Sequence, residues 1–192
     1  MVVTLIRVTQ DAENLIELAA RISRGSPIVV VKQADFLKRL IKAGHLSPLE
    51  HASATFLIEG ISRICSHQIV RHRWAAYSQQ SQRYCPKDKN VFPNWPPKHI
   101  EAGVVYQNAL RAADKAYAEL LALGVARDEA RYVLSQATAT DLILTMNFRS
   151  FRNFFEQRLS LAASSEIREL ARRMFNLIVA IAPNVFEDMA KL

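Results

Sequence analysis

Residue periodicity switches between two and 3.6 along this chain, which confines it to folds where strands and helices share a core. Val2 to Val8 alternates and is rich in β-branched residues, predicting a strand, and Asp11 then caps a helical stretch running to about Ser23. Gly25 to Pro27 breaks that pattern. Phe36, Leu37, Leu40 and Ile41 make an apolar stripe at helical spacing, so a second helix is expected to end near Gly44, before a loop to Pro48. His51 to Gly60 alternates small and apolar residues as a half-buried strand does. From Ile61 to about Arg73 the character is helical, and Ile61, Ile64, Cys65, Ile69 and Val70 spread around the circumference, so this helix is expected to be enclosed.

Tyr84 to Pro97 carries four prolines and is expected to be irregular. Ile100 to Leu123 reads as a long amphipathic helix closed by Gly124, Asp128 to Leu134 as a shorter one, and Leu142 to Met146 as a strand. Phe148 to Leu159 and Ser164 to Ile181 complete the chain as helices. No repeat or low-complexity linker divides residues 1–192, so one domain is expected.

Half the residues are hydrophobic and 22% are charged, which excludes the composition of a disordered chain. A net charge of +7 attracts anions without choosing among a phosphorylated metabolite, nucleic acid and an acidic membrane. Two cysteines make no disulfide framework, and neither a signal peptide nor a long apolar run is present, so a cytoplasmic protein outside the membrane is expected. With no CxxC and no HExxH, and only His45 and His51 at a sparse spacing, no metal site is expected.

Chemistry concentrates where Gln68-Ile69-Val70-Arg71-His72-Arg73 meets the polar stretch Tyr77 to Tyr84. Cations at a helix end can simply complement its dipole, at about 0.3–1 kcal/mol each. Alternatively, a buried helix ending in uncompensated charge has a ligand or partner there, and Ser81 and Arg83 suit a phosphate. Further on, Phe151, Phe154, Phe155 and Arg158 share one helix face, and Arg149 and Asn153 project from the opposite one. An arginine on an aromatic stripe either snorkels to water or sits in a partly dry pocket for a ligand. Cys65 reads as core, and Cys85 has no assigned role.

Arg71-His72-Arg73, seven residues, then Ser81 resembles the signature of the flavin-dependent thymidylate synthases, and Gln82-Arg83-Tyr84 continues it. The likeness extends to Ala19 to Ser23, His45 to His51, Ala130 to Leu134 and Asn147 to Phe154. It implies an α/β fold of the α+β type, with a central, mostly antiparallel sheet packed with long helices. It also implies a homotetramer with sites shared between chains. The implied reaction is reductive methylation of dUMP to dTMP with FAD, NADPH and 5,10-methylenetetrahydrofolate, without a cysteine nucleophile. By residue-by-residue likeness, Arg158 is catalytic and faces the pyrimidine. Ser47, Arg71, His72, Arg73, Trp74, Gln79, Asn147, Arg149 and Asn153 resemble flavin contacts. Gln68, Arg71, Gln79, Gln80, Ser81, Gln82, Arg83, Arg131 and Arg158 resemble nucleotide contacts, with Ser81, Arg83 and Arg131 on the phosphate. Glu50, His45 and, more weakly, Ser23 resemble polar residues near the flavin.

The chain departs from the family pattern at Ala76, Ser78, Gln79 and Gln82, where serine, asparagine, glutamate and glycine are usual, and over Leu161 to Ser165. At Gln79 hydrogen bonding survives and charge does not. Two other readings stand beside the synthase: a flavin-binding homologue with altered or lost activity, favoured by Gln79 and Ala162, and a basic groove for RNA or DNA. The latter would use Arg71, Arg73, Arg83, Tyr77 and Tyr84. The family resemblance points to dUMP rather than nucleic acid as the anionic partner.

Overall fold

The computed structural model describes residues 1–26, 33–93 and 100–191. Pro27 and the end of the proline-rich stretch lie outside them. Strands Val2–Val8 (β1), Ser53–Ser62 (β2), Ala75–Gln79 (β3) and Ala139–Asn147 (β4) form one sheet in the order β1-β2-β4-β3, every pair antiparallel. This is the expected sheet. β3 was not expected, because Ala75–Gln79 reads as polar; it forms because Ala75 to Gln79 pair with Met146 to Leu142 at the sheet's edge.

Alternation along β2 and β4 turns Ala54, Phe56, Ile58, Leu142, Leu144 and Met146 to one buried face. Helices α1 (Ala12–Ile22), α2 (Gln33–Lys42), α6 (Phe148–Arg158) and α7 (Ser165–Val179) contribute to the same core, with the short α8 (Pro183–Phe186) adding Val185 and Phe186. The stripe predicted on α6 is fully buried: Phe155 sits 5.8 Å from Phe151, 5.5 Å from Phe154 and 5.3 Å from Phe175. Asp11 takes the N-cap position of α1 in a left-handed conformation, but its side chain makes no capping bond.

The helix after β2 differs from expectation at both ends. Gly60, at φ +68°, lets a bulge form and donates its N–H to Asp141 Oδ1 at 2.8 Å, so β2 runs on to Ser62. Helix α3 is therefore only Arg63–Ile69, and Arg71 to Arg73 lie in the turn that follows. It is also half enclosed, with Cys65, Ser66 and Ile69 buried while Ile64 and Val70 face outward. Before β2, the expected loop winds into a 3-10 turn, Ser47–His51, anchored by buried Pro48 and Leu49.

Residues 84–93 contain one isolated bridge, Asn90 to Thr138, and are otherwise irregular, as the prolines predict. Helix α4 (Ile100–Ala122) buries only Leu110 and Tyr117. Beyond it, α5 (Arg127–Ala130) passes into a 3-10 turn, Arg131–Val133. No helix among the described residues is long and apolar enough to cross a membrane.

Candidate active site

The sheet register assembles a cleft of about 440 Å³ from three distant parts of the chain. Pairing of Ser53 with Asn147, and the bond from Phe148 N–H to the Ala52 carbonyl at 2.9 Å, set the Ser47–His51 turn beside the start of α6. Asn147 Oδ1 accepts from Ser150 N–H at 2.8 Å, which caps α6 and supplies an acceptor for one of the N–H donors that a helix start leaves unpaired. The cleft is lined by Glu50, by His72, Arg73 and Trp74 of the turn after α3, and by Asn147, Arg149, Ser150 and Asn153. Arg149 Nη1 meets Glu50 Oε1 at 2.6 Å, but both side chains are about half exposed, so the pair is worth at most about 1 kcal/mol. An incoming anion can therefore recruit Arg149 at little cost. Trp74 is 83% exposed, so most of its indole is open to solvent.

The turn carrying His72 is held from two sides. His72 N–H donates to the Ile69 carbonyl at 3.0 Å, and the Tyr77 hydroxyl, on β3, donates towards the carbonyls of His72 at 2.6 Å and Ile69 at 3.0 Å. The His72 ring is buried edge-on against Phe154, 5.0 Å between centroids. Burial, and next the Arg158 guanidinium, push the imidazole down to about 4, so it is neutral at pH 7. Arg158 ends α6 half buried and does not snorkel: its Nε donates to His72 Nε2 at 3.0 Å and its Nη2 to the Gln68 carbonyl at 3.2 Å. No carboxylate pairs with Arg158 among the described residues.

A second, smaller recess holds Gln80, Ser81 and Gln82 with Arg63 and Thr138. Arg63 Nη2 donates to the Gln80 carbonyl at 2.7 Å, while Arg63 Nε and the buried Thr138 Oγ1 have no partner among the described residues. Burial, and after it the nearby Arg131, lower the pKa of Arg63. Arg131 Nε bonds the Asp128 carbonyl at 3.0 Å. Gln79 turns inward, its amide donating to Ser66 Oγ at 3.0 Å and Thr140 Oγ1 at 3.1 Å. Ser47, Arg71 and Arg83 are exposed, and Arg83 lies over the Tyr84 ring at 5.7 Å.

Residues 4–184 match the family described as Thymidylate synthase complementing protein. The flavin-dependent thymidylate synthase of Geobacter sulfurreducens is 41% identical over 200 residues, covering 98% of this chain and 86% of that protein. The chain belongs to the flavin-dependent thymidylate synthases. The enzyme of that name from Sulfolobus acidocaldarius is 37% identical, over 97% of this chain and 76% of its own length. In three dimensions the chain resembles the flavin dependent thymidylate synthase of Helicobacter pylori complexed with FAD and dUMP. The TM-score is 0.81 at 25% identity, covering 98% and 99% of the two chains.

Within this chain, the residues singled out by sequence fall into separate groups. His72, Arg73, Trp74, Asn147, Arg149 and Asn153 share the larger cleft; Gln68 and Arg158 adjoin His72; Gln80, Ser81 and Gln82 share the smaller recess. Arg63, Tyr77 and Ser150 were not singled out for these places. Arg63 had no readable signal, since its bond to the Gln80 carbonyl depends on β3 folding back beside α3. The divergent segment Leu161 to Ser165 is steadied by Arg168 Nη1, which donates to the Leu161 carbonyl at 3.1 Å.

Proposed function

We propose that this chain converts dUMP to dTMP by reductive methylation, with FAD, NADPH and 5,10-methylenetetrahydrofolate. The observation that carries the reading is His72: one imidazole lines the cleft assigned to the flavin and accepts a hydrogen bond from Arg158, the guanidinium assigned to the pyrimidine. The two assignments meet at one side chain.

FAD fits the donor set of the larger cleft, whose volume of about 440 Å³ lies in the usual range for small-molecule sites. Arg73 and Arg149 suit a pyrophosphate, Asn147 and Asn153 carry amide groups, and Trp74 offers a flat apolar face. When bound, the flavin supplies the hydride that completes the methyl group. Arg158, fixed and with no carboxylate partner among the described residues, stabilises the negative charge that develops on the uracil as C5 becomes nucleophilic. Ser81, Arg83 and Arg131 hold the phosphate, and the Arg63 guanidinium adds positive charge beside Ser81. Covalent attack by Cys65 is unavailable, because the thiol is buried and burial pushes its pKa up, with Glu166 adding to the effect.

The flavin-assigned and phosphate-assigned groups occupy different recesses of one chain, and two apolar surfaces stay open. Val2, Ile6 and Ile143 are exposed on the sheet, and Val104 and Val105 on α4. Association with neighbouring chains would cover these side chains. We therefore read residues 1–192 as one domain, cytoplasmic, that completes its site with residues of neighbouring chains in a homotetramer.

The test is the visible absorption spectrum of the purified protein with and without dUMP, alongside a dTMP assay with both co-substrates. The expected result is a flavin spectrum perturbed by dUMP, and dTMP as product. A yellow protein that responds to dUMP but makes no dTMP favours the inactive homologue. A colourless protein that binds DNA or RNA with steep salt dependence favours the basic groove.

A further inference from the structure

We propose that His72 is a positioning residue for Arg158, holding one edge of the guanidinium so that the opposite edge is presented to the substrate; this rests on the assignment of Arg158 to the pyrimidine. A guanidinium is a rigid planar fork of N–H donors. Nε–H and the neighbouring N–H of Nη2 lie along one edge, and these are the two that bond His72 Nε2 at 3.0 Å and the Gln68 carbonyl at 3.2 Å. A single bond would let the fork pivot about Cδ–Nε. Two acceptors on one edge fix its plane. The donors of the other edge, on Nη1 and the remaining one on Nη2, have no partner among the described residues.

The imidazole is itself well held. Its ring meets Phe154 edge-on at an interplanar angle of 72°, and Phe154 stands one helical turn before Arg158, so α6 supplies both the arginine and the wall behind its histidine. The backbone of His72 is bonded at both N–H and carbonyl. Because Nε2 accepts from a permanently charged donor, the ring proton sits on Nδ1. Burial and the adjacent guanidinium favour the neutral ring, which keeps the Nε2 lone pair available. One side chain thus joins the two halves of the site: it lines the larger cleft and sets the attitude of the arginine.

The first test needs no turnover: a nitrogen-15 spectrum of the histidines in the flavin-loaded wild-type protein at neutral pH. His72 is expected to show a bare Nε2 and a protonated Nδ1. A protonated Nε2 cannot accept from Arg158 and overturns the proposal. The second test compares two variants at saturating FAD. His72→Phe keeps a packed ring and removes the acceptor, so kcat per bound flavin is expected to fall about 100-fold, as misplacement by about 1 Å can cause, with the KM for dUMP changed far less. His72→Gln, whose Oε1 can accept from Arg158, is expected to recover most of that loss. Equal loss in both variants, or loss accounted for by missing flavin, overturns the positioning role. Should the wild-type protein make no dTMP, the functional reading fails, while the histidine spectrum still decides whether the bond exists.

Discussion

Removing one oxygen atom at Tyr77 should loosen the turn that carries His72, Arg73 and Trp74. The Tyr77 ring is half buried on the edge strand β3, and its hydroxyl reaches the carbonyls of His72 at 2.6 Å and Ile69 at 3.0 Å. Ile69 also accepts from His72 N–H, so it keeps a partner in Tyr77→Phe. The His72 carbonyl has no other donor among the described residues. Phenylalanine fills the same space, so no cavity opens, and the cost reduces to one partly buried carbonyl left unpaired, about 1–2 kcal/mol. For a chain of this length that corresponds to a fall in Tm of about 2–8 °C. If the whole loss falls on the turn, flavin affinity drops by a factor of about 5–30. Calorimetry and a flavin fluorescence titration measure the two effects. A wild-type Tm with unchanged flavin affinity would refute the reasoning, because it would mean that the hydroxyl restrains nothing.

Arg158→Ala should leave the protein folded and yellow while lowering kcat for dTMP formation by at least about 100-fold, since it removes the donor fixed beside His72; near-normal turnover contradicts the assigned role. The unfolded imidazole of His72 takes its proton near 6.5, and the folded one, depressed chiefly by burial, only near 4. In between, the unfolded state binds more protons, so stability present above 6.5 is lost as pH falls towards 4, by up to about 3 kcal/mol. Denaturation midpoints at neutral and mildly acidic pH should lie closer together in His72→Phe than in the wild type, and identical pH dependence in the two proteins would dismiss this account. Phe155→Ala, at the centre of the aromatic cluster, should cost about 3–5 kcal/mol in equilibrium unfolding, and a loss under about 1 kcal/mol would show that the cluster collapses around the gap.

Elements with a strong apolar period are legible in the sequence. β1 spans Val2–Val8 as its alternation predicts, and the stripe on α6 is buried where its spacing puts it. Failures occurred where the signal was polar or one-sided. β3 alternates between half-buried and exposed positions, but its residues are too small and polar for that period to show in composition. In α3 the apolar residues suggested full enclosure, yet its neighbours cover one side only, and Ile64 is left 45% exposed.

The sequence alone determined the residue types of the site, its signature spacing and hence the family, because motif spacing is written over a few residues of contiguous chain. It did not determine which of those side chains meet. Arg149 and Glu50 are 99 residues apart, and Arg158 and His72 are 86 apart. Each pair depends on the order β1-β2-β4-β3 and on its register, where a shift by one residue would turn every side chain of a strand to the other face. Only the folded sheet, setting the turn after α3 against α6, decides that an imidazole and a guanidinium come within hydrogen-bonding distance.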